Sequence, residues 1–280
     1  MRIRVDHRTT YRYDAPASGL VQLLRLRPCD HDGQHVGDWR IDIDVDGTLR
    51  ESRDAFGNRV AAFYADGPLS TLTIGVAGEA EIQDTAGLIR APEPLPAPVY
   101  LRATTLTAAT PELVAWARRF AAEPPLAALH ALNAAIHDEL RFEVGATDSA
   151  TTAAAALVAG HGVCQDFAHI FVTAARAMGH PARYVSGHLA RDDTQDAAHA
   201  WAEALVPDLG WVAFDPANGI SATDRHLRIA VGLDYLDAAP IRGARRGGGT
   251  EHMHVTVNAG PSPRQWQGQD AGTFQSQSQG

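Results

Sequence analysis

The chain has 280 residues, 45% hydrophobic and 20% charged, so it is long enough to bury one large core or two smaller ones. Its 33 acidic side chains outnumber 24 basic ones, giving a net charge of −9 that argues against binding to nucleic acid, which requires a basic surface. Its two cysteines, Cys29 and Cys164, are too few for a disulfide framework or a cysteine-based metal cluster.

Residues 1–90 are predicted to form a β-rich domain. Apolar and polar side chains alternate over residues 2–7 and 39–47, as in strands with one buried face. Strand-like runs also cover residues 60–64 and 69–76. Short strands at this spacing predict a small β-sandwich. Turn signals between them are Asp46-Gly47, Phe56-Gly57-Asn58 and Asp66-Gly67-Pro68.

Four prolines at alternate positions in residues 91–98 predict a semi-rigid linker, because proline neither continues a helix nor donates to a sheet. After the linker the apolar residues follow a helical period. Helices are predicted to begin at Thr110-Pro111, near Pro125 and near Cys164, the last ending at Met178 before Gly179.

Strands are predicted in the rest of residues 99–258, which makes this region the second domain, of mixed α+β class. They cover residues 182–190, 199–207, 210–216, 226–231 and 252–258. Residues 259–280 are rich in Gln, Ser and Gly and predict a disordered tail. No apolar stretch approaches 18 residues and the N-terminus does not resemble a signal peptide, so we expect a cytoplasmic protein that does not bind membranes.

Cys164 follows a glycine-containing turn at the start of a predicted helix. A thiol at this position is favoured as the thiolate, and the unpaired N–H groups of the first turn can stabilise an oxyanion. A small buried structural residue is the alternative interpretation, and it is the one we give to Cys29.

Two further residues strengthen the catalytic interpretation of Cys164. His199 opens one predicted strand, Asp215 closes the next, and the turn signal at residues 207–210 predicts that the two strands form a hairpin. His199 and Asp215 then lie at the same end of the hairpin. A thiol, an imidazole and a carboxylate form an activated nucleophile in which the base accepts the proton and the acid orients the base.

Several segments around Cys164, His199 and Asp215 resemble the core of bacterial transglutaminase-like proteins. Residues 7–13 and 54–58 resemble the β-rich N-terminal region of that family. The resemblance covers most of the chain except the tail and implies a papain-like α+β core, with a nucleophile helix packed on an antiparallel sheet. The segments that carry it are Gly162-Val163-Cys164-Gln165-Asp166-Phe167-Ala168-His169, Pro181-Ala182-Arg183-Tyr184-Val185-Ser186-Gly187, Ala198-His199-Ala200-Trp201-Ala202-Glu203 and Gly210-Trp211-Val212-Ala213-Phe214-Asp215-Pro216. The resemblance continues through His226-Leu227-Arg228-Ile229-Ala230-Val231-Gly232, Asp234-Tyr235 and Pro240-Ile241-Arg242-Gly243.

The resemblance implies a cysteine protease, amidase or acyltransferase with Cys164, His199 and Asp215 as its catalytic triad. The thiolate would attack a carboxamide or peptide bond of a protein, peptide or small amide and form a thioester, which an amine or water then resolves. Acetyl transfer from a thioester donor and a catalytically silent protein-binding module are the alternatives. Neither the oligomeric state nor the choice between hydrolysis and transamidation follows from the sequence.

Three residues near the triad, Gln165, Trp201 and Asp166, also have expected positions. Gln165 is expected to line the cleft or to contribute its backbone N–H to an oxyanion hole, and a structural role is the alternative. Trp201 is expected on the face opposite His199, where packing is favoured over a contact with substrate. Asp166 is expected to face away from Cys164. No cofactor and no metal site are predicted, because the 13 histidines lack the spacing of a zinc protease.

Overall fold

A computed structural model describes residues 1–121, 124–195 and 197–262. Most of the predicted tail, residues 263–280, lies outside the described residues. The described chain contains two six-stranded sheets, five α-helices and two short 3₁₀ helices. This architecture confirms the mixed α+β class. No helix in the described ranges is long and apolar enough to cross a membrane, and the cytoplasmic location stays a prediction.

The first sheet is built on two long antiparallel strands. β1 and β4 pair along most of their length, and the other four strands pair with their outer edges. All six strands therefore belong to one hydrogen-bonded sheet, whereas the sequence predicted a sandwich of short strands. The strands of this sheet are β1 (Arg2–Leu24), β2 (Gln34–Ile43), β3 (Thr48–Arg53), β4 (Arg59–Ile82), β13 (Ile241–Gly247) and β14 (Glu251–Pro261).

The predicted turn at Asp66-Gly67-Pro68 lies inside β4. Gly19 of β1 pairs with Asp66, and Ala17 pairs with Leu69. Between these two pairs β4 advances by three residues while β1 advances by two. The extra residue produces a bulge, and pairing continues on both sides of it. The turn-forming residues therefore bend a continuous strand.

The second sheet and its helices form the other half of the fold. Apolar side chains of the helices pack against β8, β9 and β10 in one core. The strands of this sheet are β5 (Leu88–Ile89), β8 (Ala182–Leu189), β9 (His199–Val206), β10 (Gly210–Asp215), β11 (Ile220–Ser221) and β12 (His226–Gly232), and a separate parallel pair is β6 (Arg141–Phe142) and β7 (His161–Gly162). The helices are α1 (Pro111–Ala117), α2 (Pro125–Glu139), α3 (Ala153–Ala159), α4 (Cys164–Ala177) and α5 (Tyr235–Ala238), with 3₁₀ turns at Ala97–Leu101 and Arg118–Phe120.

The C-terminal strands return to the first sheet. β13 and β14 both pair with β1, although residues up to 258 were assigned to the catalytic domain and residue 259 onward to a disordered tail. Residues 259–261 extend β14 because their backbone finds partners at the edge of β1, from Val5↔Ala259 to Ile3↔Pro261. The two halves of the fold thus share the end of the chain, and the predicted domain limits stay a prediction.

Candidate active site

Cys164 is the first residue of α4, as predicted. Val163 is the N-cap, and Asp166 in the first turn accepts hydrogen bonds from the Val163 N–H at 2.8 Å and from the Thr147 hydroxyl at 2.7 Å. These bonds direct the Asp166 carboxylate to the helix start, and burial raises its pKa. Gly162 permits this arrangement, because a Cβ at residue 162 would lie 2.7 Å from the Asp166 side chain.

His199 and Asp215 meet at one end of the β9–β10 hairpin, as predicted from the turn. Phe214 pairs with Ala202, so the two side chains lie within two residues of the same register. The distance from His199 Nε2 to Asp215 Oδ2 is 2.8 Å, and both side chains are buried. Because Nε2 binds the carboxylate, Nδ1 is the nitrogen that remains for Cys164.

The environment of His199 favours its protonated form. Burial lowers its pKa, but the interactions with Asp215 and Cys164 outweigh burial and raise the pKa to about 10. The pKa of Asp215 moves the opposite way: burial favours the neutral acid, while the hydrogen bonds with His199 and His226 hold the pKa well below its usual range. The geometry therefore pairs an ionised Asp215 with an imidazolium beside the Cys164 thiol.

Asp215 has three further partners that sequence analysis missed. His226 donates from Nε2 to Asp215 Oδ2 at 3.0 Å, and the Asn218 side-chain amide donates to the same oxygen at 2.6 Å. The backbone N–H groups of Ala217 and Asn218 donate to Oδ1. These donors fix the carboxylate against rotation. His226 is the first residue of a predicted strand, but no local sequence signal indicates that this strand begins beside Asp215.

His199, Asp215 and His226 also place nitrogen and oxygen atoms within 4.8 Å of one another, as in a metal site. The tautomer of His226 does not fit that role. The Thr223 N–H donates to Nδ1 of His226 at 3.0 Å, so in the neutral ring the proton lies on Nε2, the atom facing Asp215. A protonated Nε2 donates a hydrogen bond and has no lone pair for a metal. The three residues therefore fit a hydrogen-bonded network.

Trp201 lies on the same face of β9 as His199, so the prediction that it faces the opposite side is wrong. Residues two apart in a strand share a face, and the two rings have centroids 6.0 Å apart. Trp201 is 1% exposed and also contacts the ring of His226 edge-on at 5.3 Å. It packs behind the two imidazoles and is not among the described residues that line the cleft.

Gln165 does line the cleft that contains Cys164 and His199, which has a volume of 210 Å³. Gln165 is the second residue of α4, and the first N–H groups of a helix have no partner within it. Cys29 lies elsewhere, with its sulfur 3.8 Å from the carbonyl oxygen of Gly57. The structure thus brings Cys164, His199, Asp215 and Gln165 together and leaves Cys29 apart.

Known proteins are similar to this chain in sequence and in fold. The model of the transglutaminase-like superfamily matches residues 114–216, and the model of the bacterial transglutaminase-like N-terminal region matches residues 3–81. An uncharacterized protein of Mycobacterium leprae is 31% identical over 278 residues, covering 91% of this chain and 97% of the relative. The chain belongs to the transglutaminase-like superfamily.

Two other comparisons extend this result. An uncharacterized protein of Mycobacterium tuberculosis strain H37Rv is 31% identical over 272 residues, covering 86% of this chain and 87% of the relative. The crystal structure of a candidate cysteine protease from Cytophaga hutchinsonii superposes with a TM-score of 0.75 at 20% identity, covering 95% of this chain and 92% of that one. An identity of 20% supports a conclusion about the fold alone. The superposition shows that the two chains share this fold over 95% of the present chain, which includes the first sheet.

Proposed function

We propose that the protein is a cysteine-dependent enzyme that acts on amide bonds, with Cys164 as nucleophile, His199 as base and Asp215 as orienting acid. The single observation that carries the proposal is the contact of a helix-start cysteine with a buried imidazole whose pKa is raised to about 10 by Asp215 and Cys164. Membership of the transglutaminase-like superfamily supports cysteine-based amide chemistry in general.

In the first half of the reaction the Cys164 thiolate attacks the carbonyl carbon of a carboxamide or peptide bond. The C–N bond then breaks, the His199 imidazolium gives its proton to the leaving nitrogen, and the acyl group remains on Cys164 as a thioester. The developing oxyanion lies near the start of α4, where the N–H of Gln165 is suited to donate to it.

In the second half, water or an amine attacks the thioester carbonyl carbon and His199 takes the proton that is lost. The C–S bond breaks, the thiolate returns, and the product is a carboxylic acid or a new amide. Both outcomes use the same three residues. The substrates we propose are a protein, a peptide or a small amide.

The thioester itself provides the test. The protein is incubated with an activated peptide ester or amide and its intact mass is measured after rapid acid quench. We expect an added acyl mass on Cys164 that hydroxylamine removes, and no added mass on the Cys164→Ala variant. An acyl adduct that persists in Cys164→Ala would refute the mechanism, and absence of any adduct with a broad set of activated substrates would favour the protein-binding alternative.

A further inference from the structure

A large part of the wall around Cys164 comes from the first sheet. The cleft is lined by the start of α4 and the start of β9, together with Tyr11 of β1 and Met253 and Val255 of β14. Tyr11 pairs with Met253, and Thr9 pairs with Val255. Cross-strand partners place their side chains on the same face of a sheet. The first sheet therefore presents one continuous surface to the nucleophile.

β14 also holds the segment that leads into His199. The Gln195 N–H donates to the Val257 carbonyl oxygen at 2.8 Å, and the Val257 N–H donates back at 2.7 Å. The Arg191 N–H donates to the Ala259 carbonyl oxygen, also at 2.8 Å. The wall and the segment before the catalytic strand are thus joined by backbone hydrogen bonds. β14 lies outside the ranges that the two family models match.

The cleft wall is uncharged apart from the reacting groups. Its described lining contains no Asp, Glu, Lys or Arg. Its second histidine, His7, is kept neutral because burial lowers its pKa to about 4. Burial likewise raises the pKa of Tyr11 and Tyr184 and keeps both phenols neutral. A charged group that entered this cleft would lose water, and the described lining offers it no counter-charge other than the catalytic pair. Glu251, whose charge also acts on Tyr11, lies outside that lining and is paired with Arg245 at 3.1 Å.

The size of the cleft limits what can enter it. Its 210 Å³ is below the roughly 300–1,000 Å³ of sites for drug-sized ligands. Space of this size suits one side chain and the carbonyl group attached to it. Apolar contributions come from Tyr11, Met253, Val255 and Ile241, so an apolar side chain gains most from burial there.

We propose that the first sheet is the substrate-selecting wall of the active site and that the acyl group taken up by Cys164 carries a neutral, apolar side chain. This inference rests on the proposed function. Within it, the surface formed by Tyr11, Met253 and Val255 sets specificity, while Cys164, His199 and Asp215 carry out the reaction on whichever acyl group is held there.

The test compares chloromethyl ketones of single N-acylated amino acids with phenylalanine, leucine, glutamate or lysine side chains. Each alkylates Cys164 by forming a C–S bond with loss of chloride, and each rate is divided by the rate with iodoacetamide, which has no side chain. We expect the leucine and phenylalanine reagents to label Cys164 faster than the charged ones by about tenfold or more, because the cleft offers no counter-charge. Equal relative rates for all four would overturn the inference.

A charge introduced into the wall at Met253 tests whether this surface sets the specificity. Met253 is 61% exposed, so Met253→Lys can keep the fold, and it adds a cation to the wall. His254→Lys is the matched control, since residue 254 is exposed and points to the other face of β14. We expect Met253→Lys to increase the relative rate of the glutamate reagent severalfold and to lower that of the lysine reagent, and His254→Lys to change neither. The same response in both variants, or in neither, would overturn the role of this wall.

These outcomes separate the inference from the function on which it rests. If iodoacetamide itself modifies Cys164 no faster than an ordinary thiol, the proposed function fails. If iodoacetamide reacts fast while the four reagents are not discriminated, the nucleophile stands and the selecting wall does not.

Discussion

At the residue scale, the charge on His199 depends on Asp215. With Asp215 ionised, the pKa of His199 is about 10, so the imidazolium persists through neutral pH. In Asp215→Asn the counter-charge is gone, so burial, which lowers the pKa of His199, is opposed by the interaction with Cys164 alone. We expect the turnover rate to fall by about a hundredfold or more, and the alkylation rate of Cys164 below about pH 7 to fall with it. Asp208→Asn is the control.

Asp208 lies in the β9–β10 turn at the far end of the hairpin and has a positive φ of 64°, which asparagine also adopts. Its replacement should leave both rates unchanged. Full activity in Asp215→Asn would show that Asp215 has no part in orienting or charging His199.

His226 is a positioning residue, because it acts on the reaction through Asp215. His226→Phe keeps an aromatic ring against Trp201 but loses the donor to Asp215 Oδ2, and a hydrogen bond to a charged group contributes about 1.5–3 kcal/mol. We expect the acylation rate to fall by about tenfold, and the pH dependence of the rate to shift. His226→Gln, which retains an N–H donor, should restore part of the rate.

A structural role alone would lower the thermal stability of His226→Phe without moving the pH profile of the acylation rate. The profile should therefore be measured at a temperature well below the unfolding transition of each variant. An unchanged profile in His226→Phe would contradict the positioning role.

The residues of the site were predictable to different degrees. Cys164, His199 and Asp215 are separated along the chain. A helix start and a hairpin turn predicted their places in the fold, and the family resemblance implied that they form one triad. His226 was missed because it opens β12, whose partner β8 lies two strands away from β10 in the sheet. Local sequence does not determine the order of strands in a sheet. The face of Trp201 was predictable, because residues 199 and 201 are two apart in one strand and therefore share a face.

At the element scale, the start of α4 is held by the contact of Asp166 with the backbone of Val163. Gly162→Ala would place a Cβ 2.7 Å from the Asp166 side chain and displace the carboxylate. We expect a loss of about 1–3 kcal/mol in the free energy of unfolding, as for other overpacked sites, and slower alkylation of Cys164. Chemical denaturation and alkylation kinetics measure the two effects.

Gly75→Ala is the matched control, because a Cβ at residue 75 meets one atom, the Asp42 carbonyl oxygen, at 3.9 Å. It should change stability little. If Gly162→Ala is as stable and as reactive as the wild type, the close approach at residue 162 does not position the nucleophile.

The long elements were predicted better than the short ones. α2 begins at Pro125 and α4 spans Cys164–Ala177, both as expected from their apolar stripes. α3, Ala153–Ala159, was not predicted, since a run of alanines has no apolar stripe, although Thr152 caps it with its side chain. In the first sheet, the bulge near residue 67 resembled a turn in sequence because the same residues favour both.

At the scale of the whole molecule, buried histidines couple stability to pH. Burial lowers the pKa of His7, His31 and His169 to about 4 and that of His188 to about 3. The unfolded chain binds protons at these residues near pH 6.5, so between about pH 6.5 and pH 4 it holds more protons than the folded chain. We therefore expect the free energy of unfolding to fall as the pH is lowered through this window.

His199 has the opposite effect, in a separate window. Its pKa is raised to about 10, so its contribution to stability is complete below about pH 6.5 and is lost as the pH rises towards 10. Urea denaturation across both windows measures the two slopes. His169→Gln removes one buried titrating group and should reduce the acid slope by about one proton. Glutamine can still accept the hydrogen bond from the Tyr235 N–H, so the fold should be kept. The matched replacement His35→Gln, at an exposed residue, should not change the slope. A flat acid window would contradict the neutral state of these histidines.

The whole-molecule arrangement was the least accessible from sequence. The alternating pattern of residues 252–258 correctly indicated a strand, but its partner, β1, begins some 250 residues earlier in the chain. No local signal identifies such a partner. Both the wall around Cys164 and the backbone link to residues 191–195 depend on this pairing, so the substrate-selecting surface became visible only in the folded structure.

The alkylation rate of Cys164 as a function of pH tests the central claim most directly. Iodoacetamide is added to the intact protein and modification of Cys164 and Cys29 is followed by peptide mass spectrometry, so that Cys29 serves as an internal reference. The account predicts that at about pH 6 Cys164 reacts at least about tenfold faster than Cys29, and that His199→Gln abolishes this advantage. Equal rates for the two cysteines, or a fast Cys164 in His199→Gln, would contradict it.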